Sequence, residues 1–292
     1  PWSTSRSTRS PSSCTEGGTP VSGARRPIGV FDSGVGGLSV WREIVRLLPL
    51  ESTVYLADQA HVPYGPRPQD EVARFSAAIT EHLLERGCKA VVVACNTASA
   101  AALKDLRARF APVPIIGLEP AVKPAAAMTR TGVIGVMATP ATFAGRLYQA
   151  TVGRHAASIR VVSQTCPGLA DLVEHGALDG PEAEQLLRDF VQPILAENAD
   201  VIVLGCTHYP FVIDGIRRIA GPSVAVVDPA PAVARHLGNV LAHHGLGRHD
   251  GTGAHHFLTT ADPAAFAATA SRLLGRPVQA EPVHWMSGTR LG

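Results

Sequence analysis

The stretch VVVACNTAS, residues 91–99, opens the reading of the fold and poses the functional question. Its first half is short and apolar throughout, the pattern of a strand in a parallel sheet covered on both faces. It ends on a cysteine followed directly by Asn and Thr. VIVLGCTHYP, residues 201–210, repeats the plan: an apolar run, a small residue, a cysteine, then polar residues. Cys95 and Cys206 stand 111 positions apart. IGVFDSG (28–34) and IGVMATP (134–140) recur in the same order at an offset of 106. Such repetition indicates a duplicated α/β unit. Two units packed face to face about a pseudo-twofold axis would turn their strand C-terminal ends, where α/β sheets bind ligands, towards one cleft.

Around these runs the chain alternates. Strands are expected at 28–31, 52–58, 90–94, 114–118, 131–139, 159–165, 201–205 and 223–229. Helical spacing of apolar residues predicts helices at 38–48, 72–87, 99–110, 143–153 and 181–199, the last with a kink or break at Pro193. This rhythm predicts an α/β fold: two similar α/β domains with mostly parallel sheets.

Residues 1–26 are a different material, rich in Ser, Thr, Pro, Gly and Arg, and are expected to be a disordered tail. They hold +3 of the net charge of +2, which leaves −1 on the remainder, so no nucleic-acid partner is expected. No apolar run approaches the ~20 residues that span a bilayer, which predicts a soluble protein without a membrane partner. The five cysteines are widely spaced and contain no C-x-x-C, which argues against a disulfide framework and a structural zinc site. Individual thiols free for chemistry fit a reducing, cytoplasmic setting.

A cysteine taken singly is a small core residue. The pair reads differently, because both members sit at a strand end before residues suited to start a helix: Asn96-Thr97 with Ser99, and Thr207-His208. Helix N-termini offer free N–H groups and a positive dipole end, which favour thiolate and bind carboxylates. Two thiols flanking one carbon are what two-base racemisation needs. DSGVGG (32–37) lacks both the dinucleotide spacing and a P-loop lysine. It reads as a Gly-rich turn that leaves Asp32 and Ser33 at a strand end. Tyr64 and Gly65 in HVPYGPRP are expected to face the same cleft, with Thr139 and Thr142 as hydroxyl donors or helix caps. Cys166 reads as structural, and Glu174 nearby has no clear role from pattern alone. His208 reads either as a cap or as an assistant to Cys206. His243-His244 and His255-His256 read as surface residues.

In order along the chain, DSGVGGLSV, the YG of HVPYGPR, ACNTAS, ATPAT and GCTHYP resemble glutamate racemase over about residues 27–285. The resemblance implies interconversion of L- and D-glutamate without cofactor or metal, supplying D-glutamate for peptidoglycan. It implies a homodimer and an active site between a first domain of residues 27–119 plus 228–285 and a second of 120–227, leaving 286–292 as a C-terminal tail. Cys95 and Cys206 match the catalytic pair, the first acting on D-glutamate and the second on L-glutamate. Asp32 matches the group beside the first thiol, and His208 the group beside the second. Ser33, Tyr64, Gly65, Asn96, Thr97 and Thr207 match substrate-binding positions, and Thr139, Thr142 and Glu174 secondary ones. GAHHFLTTADP (253–263) is compatible with the family's late strand. Lys89, Lys104 and Lys123 all lie in or beside helix-like segments, so no lysine at a strand end is offered to a pyridoxal cofactor.

Two other readings stand beside this one. A cysteine hydrolase would use Cys206 with a His208 base, and a bilobed binding protein would not need both thiols.

Overall fold

The computed structural model describes residues 23–286 and 290–292. The chain first lays down β1 (Ile28–Asp32), β2 (Thr53–Ala57), β3 (Ala90–Val93) and β4 (Ile115–Gly117). It then builds a second sheet from β5 (Val133–Ala138), β6 (Arg160–Thr165), β7 (Val201–Gly205) and β8 (Ala225–Val227). It returns to the first sheet with β9 (His255–Thr259) and the two-residue β10 (Glu281–Pro282). The first sheet runs β10-β9-β2-β1-β3-β4 and the second β6-β5-β7-β8, with every pairing parallel. The fold is α/β with two parallel-sheet domains, as the alternation of apolar runs predicts.

Helices cover both faces of each sheet, which is why β1, β2, β3 and β7 are buried at every residue. Over the first sheet, α1 (Leu38–Leu47) lies opposite α2 (Gln69–Glu85) and α3 (Asn96–Arg109). Over the second, α4 (Val122–Met128), α5 (Pro140–Ala144) and α6 (Arg146–His155) lie opposite α7 (Leu169–Glu174), α8 (Pro181–Ala196) and α9 (Ile213–Ala220). Helices α10 (Ala230–His243) and α11 (Pro263–Leu274) complete the α1 side. One apolar cluster runs from Leu38, Trp41 and Leu237 under the first sheet to Leu187, Ile202 and Ile216 under the second. The two domains therefore share packing.

Several expectations change. The helix after β3 begins at Asn96 rather than Ser99, because Cys95 itself occupies the cap position. The helix expected at 143–153 is two helices, divided at Gly145, where a Cβ would come within 2.7 Å of the Ala100 Cβ. Helix α8 passes through Pro193 unbroken. That proline lies in the last turn, so it forfeits one hydrogen bond while buried Phe190, Val191 and Ile194 hold the helix to its sheet. Within the expected N-terminal tail, Gly23–Arg25 form a 3-10 turn, and Arg25 pairs with Asp250; residues 1–22 lie outside the described residues. Within the expected C-terminal tail, Met286 and Arg290–Leu291 belong to a small antiparallel hairpin of β11 (Trp285–Met286) and β12 (Arg290–Leu291). His255 is not a surface residue: it is half-buried, bonded to Thr53 Oγ1 at 3.0 Å and edge-on to Trp41. Among the described residues, no helix is long and apolar enough to cross a membrane.

At the sheet edge away from the cleft, Lys89 Nζ donates to Glu51 Oε2 at 2.5 Å and to the carbonyls of Ala24 and Leu246. Both side chains are buried, and Glu51 Oε1 also accepts from Arg248 N. Removing one member of a buried pair strands the other charge. Lys89→Met should therefore lower the unfolding free energy by about 3–5 kcal/mol in urea titrations. A loss below about 1 kcal/mol, the behaviour of an exposed pair, would contradict this account.

Candidate active site

Three strand ends build the site. After β1, Asp32 turns its carboxylate inward, where Oδ1 accepts from Ser33 N at 2.7 Å and Oδ2 accepts from Gly37 N and from Thr207 Oγ1. Asp32 is fully buried, and through Thr207 it ties the end of β1 to the end of β7. After β3, Cys95 is extended, and its sulfur accepts from Ala98 N at 3.4 Å as the N-cap of α3. After β7, Cys206 leads not into an α-helix but into a 3-10 turn, Tyr209–Val212. His208 makes no side-chain cap bond to that turn. Instead its Nδ1 lies 3.5 Å from Cys206 Sγ and its Nε2 2.7 Å from Glu174 Oε1.

Cys95 and Cys206 line one cavity of about 360 Å³ between the two sheets. Ser33, Tyr64, Gly65, Asn96, Thr97, Thr139, Thr207 and His208 line it too. Asp32, Thr142 and Glu174 stand behind this wall. Thr142 bonds Thr139, which caps α5 and meets Thr97 Oγ1 at 3.0 Å, so a hydroxyl chain bridges the cleft. Glu174 sits behind His208 and accepts from Val35 N at 2.8 Å. Asn96 is buried, and its Oδ1 and Nδ2 are the only buried side-chain polar atoms among the described residues without a hydrogen-bond partner. An unpartnered amide on a cavity wall is costly unless a ligand completes it.

The glycines of DSGVGG now have a physical reason. A Cβ on Gly34 would collide with the Glu174 carboxylate, and one on Gly36 with the His208 ring. The loop is glycine-rich because the histidine–glutamate pair passes against it, not because it wraps a phosphate.

Two features go beyond the sequence reading, which takes Cys166 as structural and gives Asp58 no role. Cys166 lines the cavity rather than the core alone; burial pushes its thiol up to about 12, which keeps it protonated. Asp58 organises the Tyr64 loop, accepting from Tyr64 Oη at 2.6 Å, Thr260 Oγ1 at 2.8 Å and Trp285 Nε1 at 2.7 Å. Asp58 carries no pattern, since Thr260 and Trp285 come from two distant segments.

The two thiols sit in unlike surroundings. Burial pushes the Cys95 thiol well up, the Asp32 charge adds to this, and the Ala98 N–H opposes it. Burial also raises Asp32 above its ordinary value, offset in part by His208. Beside Cys206 the neighbours are His208 and Glu174. Burial works against a charged His208, yet hydrogen bonds to Cys206 and Glu174 hold its pKa well above 6.5. Burial would raise Glu174, but the bond to His208 and its charge, together with the Gln59 and Val35 N–H donors, outweigh it and the carboxyl lies below its usual value. The pair is an imidazolium and a carboxylate, with the imidazolium facing a sulfur. A proton could leave or arrive at either wall of the cavity.

A two-domain α/β protein with a thiol on each wall of one cleft is the architecture of an amino-acid racemase. The sequence profile of Asp/Glu/Hydantoin racemase matches residues 28–237, and the chain belongs to that family. The glutamate racemase of Roseiflexus sp. strain RS-1 is 53% identical over 250 residues, covering 85% of this chain and 92% of that protein. A Bacillus anthracis glutamate racemase isoform superposes with a TM-score of 0.82 at 35% identity, over 91% of this chain and 100% of that one. The Escherichia coli glutamate racemase, solved with L-glutamate and the activator UDP-MurNAc-Ala, gives 0.77 at 30% identity, over 88% and 97%. Within the family the chain stands among the glutamate racemases, and it is an isomerase.

The electrostatic account has a direct check. His208 should keep its proton well above pH 6.5 in imidazole ¹⁵N NMR, and Glu174→Gln should bring the titration down. Because the folded value is raised, the stability that His208 contributes is complete below pH 6.5 and lost as pH rises through the folded value. A His208 that titrates at or below 6.5 would contradict the ion pair.

Proposed function

We propose that the chain interconverts L- and D-glutamate by two-base proton transfer between Cys95 and Cys206, without a cofactor. The carrying observation is that both thiols line one cavity from opposite sheets. In the direction from L-glutamate, Cys206 is the thiolate and takes the α-hydrogen as a proton. The C–H pair of electrons passes into the α-carboxylate, giving a carbanion that is flattened at Cα. Cys95 then donates its S–H proton to the opposite face, which leaves Cys95 as thiolate and Cys206 as thiol. The reverse reaction starts from that state.

Each neighbour has a task in this scheme. The His208 imidazolium stabilises the Cys206 thiolate, and Glu174 keeps His208 charged. Asp32, behind the wall beside Cys95, favours the protonated thiol and, through Ser33 and Thr207, which line the cavity, bears on the substrate ammonium. The α-carboxylate gains charge in the transition state. Asn96, Thr97 and the free N–H groups at the start of α3 are suited to receive it. Ser33, Tyr64, Gly65 and Thr207 bound the space for the side-chain carboxylate, with Thr139 and Thr142 closing the wall. No lysine lines the cavity, so the residues offer no Schiff-base partner to an aldehyde cofactor. The domains we assign are 27–119 plus 228–285 and 120–227, and the biological task is supply of D-glutamate for peptidoglycan in a reducing cytoplasm.

The line Cys206–His208–Glu174 also has the form of a hydrolase triad. Hydrolysis would use one thiol. Racemisation needs both, so separate Cys95→Ala and Cys206→Ala variants distinguish the two. Each should lose about 10²–10⁴-fold in kcat, followed by optical rotation from either enantiomer. Because the enantiomers have equal free energy, kcat/KM must fall by the same factor in both directions for each variant. A Cys95→Ala enzyme that kept its turnover would sink the two-thiol reading.

A further inference from the structure

Gln59 follows β2 by two residues, next to Asp58, and no motif drew attention to it. Its side-chain Oε1 accepts from Thr259 Oγ1 at 3.1 Å, and its Nε2 donates to Glu174 Oε2 at 3.0 Å. The chemistry fixes this orientation. A carboxylate only accepts, so the NH₂ end of the amide must face Glu174. The Thr259 hydroxyl already accepts from Ala261 N at 3.2 Å, which directs its proton to the Gln59 carbonyl. Thr259 is itself fully buried at the end of β9.

The Glu174 carboxylate is consequently shared. Oε1 accepts from Val35 N and faces His208 Nε2, while Oε2 accepts from Gln59. Glu174 belongs to the second domain, and Val35 and Gln59 to the first. A continuous line runs Thr259–Gln59–Glu174–His208–Cys206, from the late returning strand to the second thiol. The other ionisable groups around it are Asp32 at the end of β1 and Tyr55 on β2, with Tyr209, Cys166 and Cys95 near its Cys206 end.

We infer that Gln59 is a positioning residue for the racemisation: reaching across the cleft, it holds the Glu174 carboxylate ionised and aimed at His208, and so sets the charge beside Cys206. This rests on the two-thiol reading of the site. Without the Gln59 N–H, Oε2 loses its partner, Glu174 becomes less acidic and His208 holds its proton less tightly. Substrate contacts on the Cys95 wall stay as they are. The cost falls on the step at Cys206.

Three variants test it. Gln59→Leu removes both hydrogen bonds at similar size. Thr259→Val leaves the amide but removes its anchor, while Thr259→Ser keeps the hydroxyl. Gln59→Leu should lower kcat/KM by about 10- to 100-fold, the scale of one hydrogen bond to a charged group. The loss should be equal in both directions, with the alkaline limb of kcat moved to lower pH. Thr259→Val should show the same effects more weakly, and Thr259→Ser should restore them. Because the Cys206 step becomes more limiting, the isotope effect with α-deuterated L-glutamate should rise, and that with α-deuterated D-glutamate should fall. A merely structural loss would not move the two in opposite senses.

A readout free of turnover separates this inference from the functional reading. Imidazole ¹⁵N NMR of the full chain should place the His208 titration lower in Gln59→Leu and Thr259→Val than in the parent protein. An unchanged His208 titration in the folded variants overturns the role of Gln59, whatever the activity. A parent protein that fails to racemise glutamate overturns the functional reading, and the His208 shift still decides Gln59.

Discussion

A parallel sheet brings every strand's C-terminal end to one edge, and the rest of this molecule depends on that constraint. Each sheet can deliver only one kind of surface there: strand ends, the loops after them, and the N-termini of the following helices. Turning two such edges together makes a cleft with chemically similar walls. Cys95 after β3 and Cys206 after β7 occupy corresponding places on those walls. A thiol on each face of one small cavity follows from duplicating one unit.

Duplication gives position, but the electrostatics are not duplicated. Asp32 supplies a buried carboxylate to the Cys95 side, and Glu174 with His208 supplies an ion pair to the Cys206 side. Burial makes each charge expensive alone, so each is matched by donors. Asp32 gathers Ser33 N, Gly37 N and Thr207 Oγ1, and Glu174 gathers donors from both domains. The unequal walls suit a reaction whose two half-steps begin from different protonation states. Two of the donors to Glu174, Val35 N and Gln59 Nε2, reach it from across the cleft.

Much of this was legible in the sequence. The apolar runs ending in ACNT and GCTH marked β3 and β7, and their repetition pointed to the shared cleft. Local pattern suffices where a strand is buried on both faces and a distinctive residue ends it. It fails where the deciding partner is distant. Pro193 reads as a break, yet packing holds α8 together through it. His255 reads as a surface residue, yet Thr53 and Trp41 enclose it. The helices α4, α7, α9, α10 and α11 are short, or lie outside the repeated runs, and so gave no strong period. Asp58, Cys166 and Gln59 earn their places only from contacts between segments far apart in the chain. The GVGG glycines carry a clear local signal, but its cause, the passage of Glu174 and His208, belongs to the other domain.

The central claim is that one thiol removes the α-hydrogen and the other returns a different one. The most direct test follows early turnover of L-glutamate in D₂O, measuring deuterium at Cα in the product and in the remaining substrate separately. Two bases predict D-glutamate that carries solvent deuterium while the remaining L-glutamate keeps its protium. Loss of protium from the remaining L-glutamate as fast as D-glutamate forms would mean a single base serving both faces, and would contradict the account.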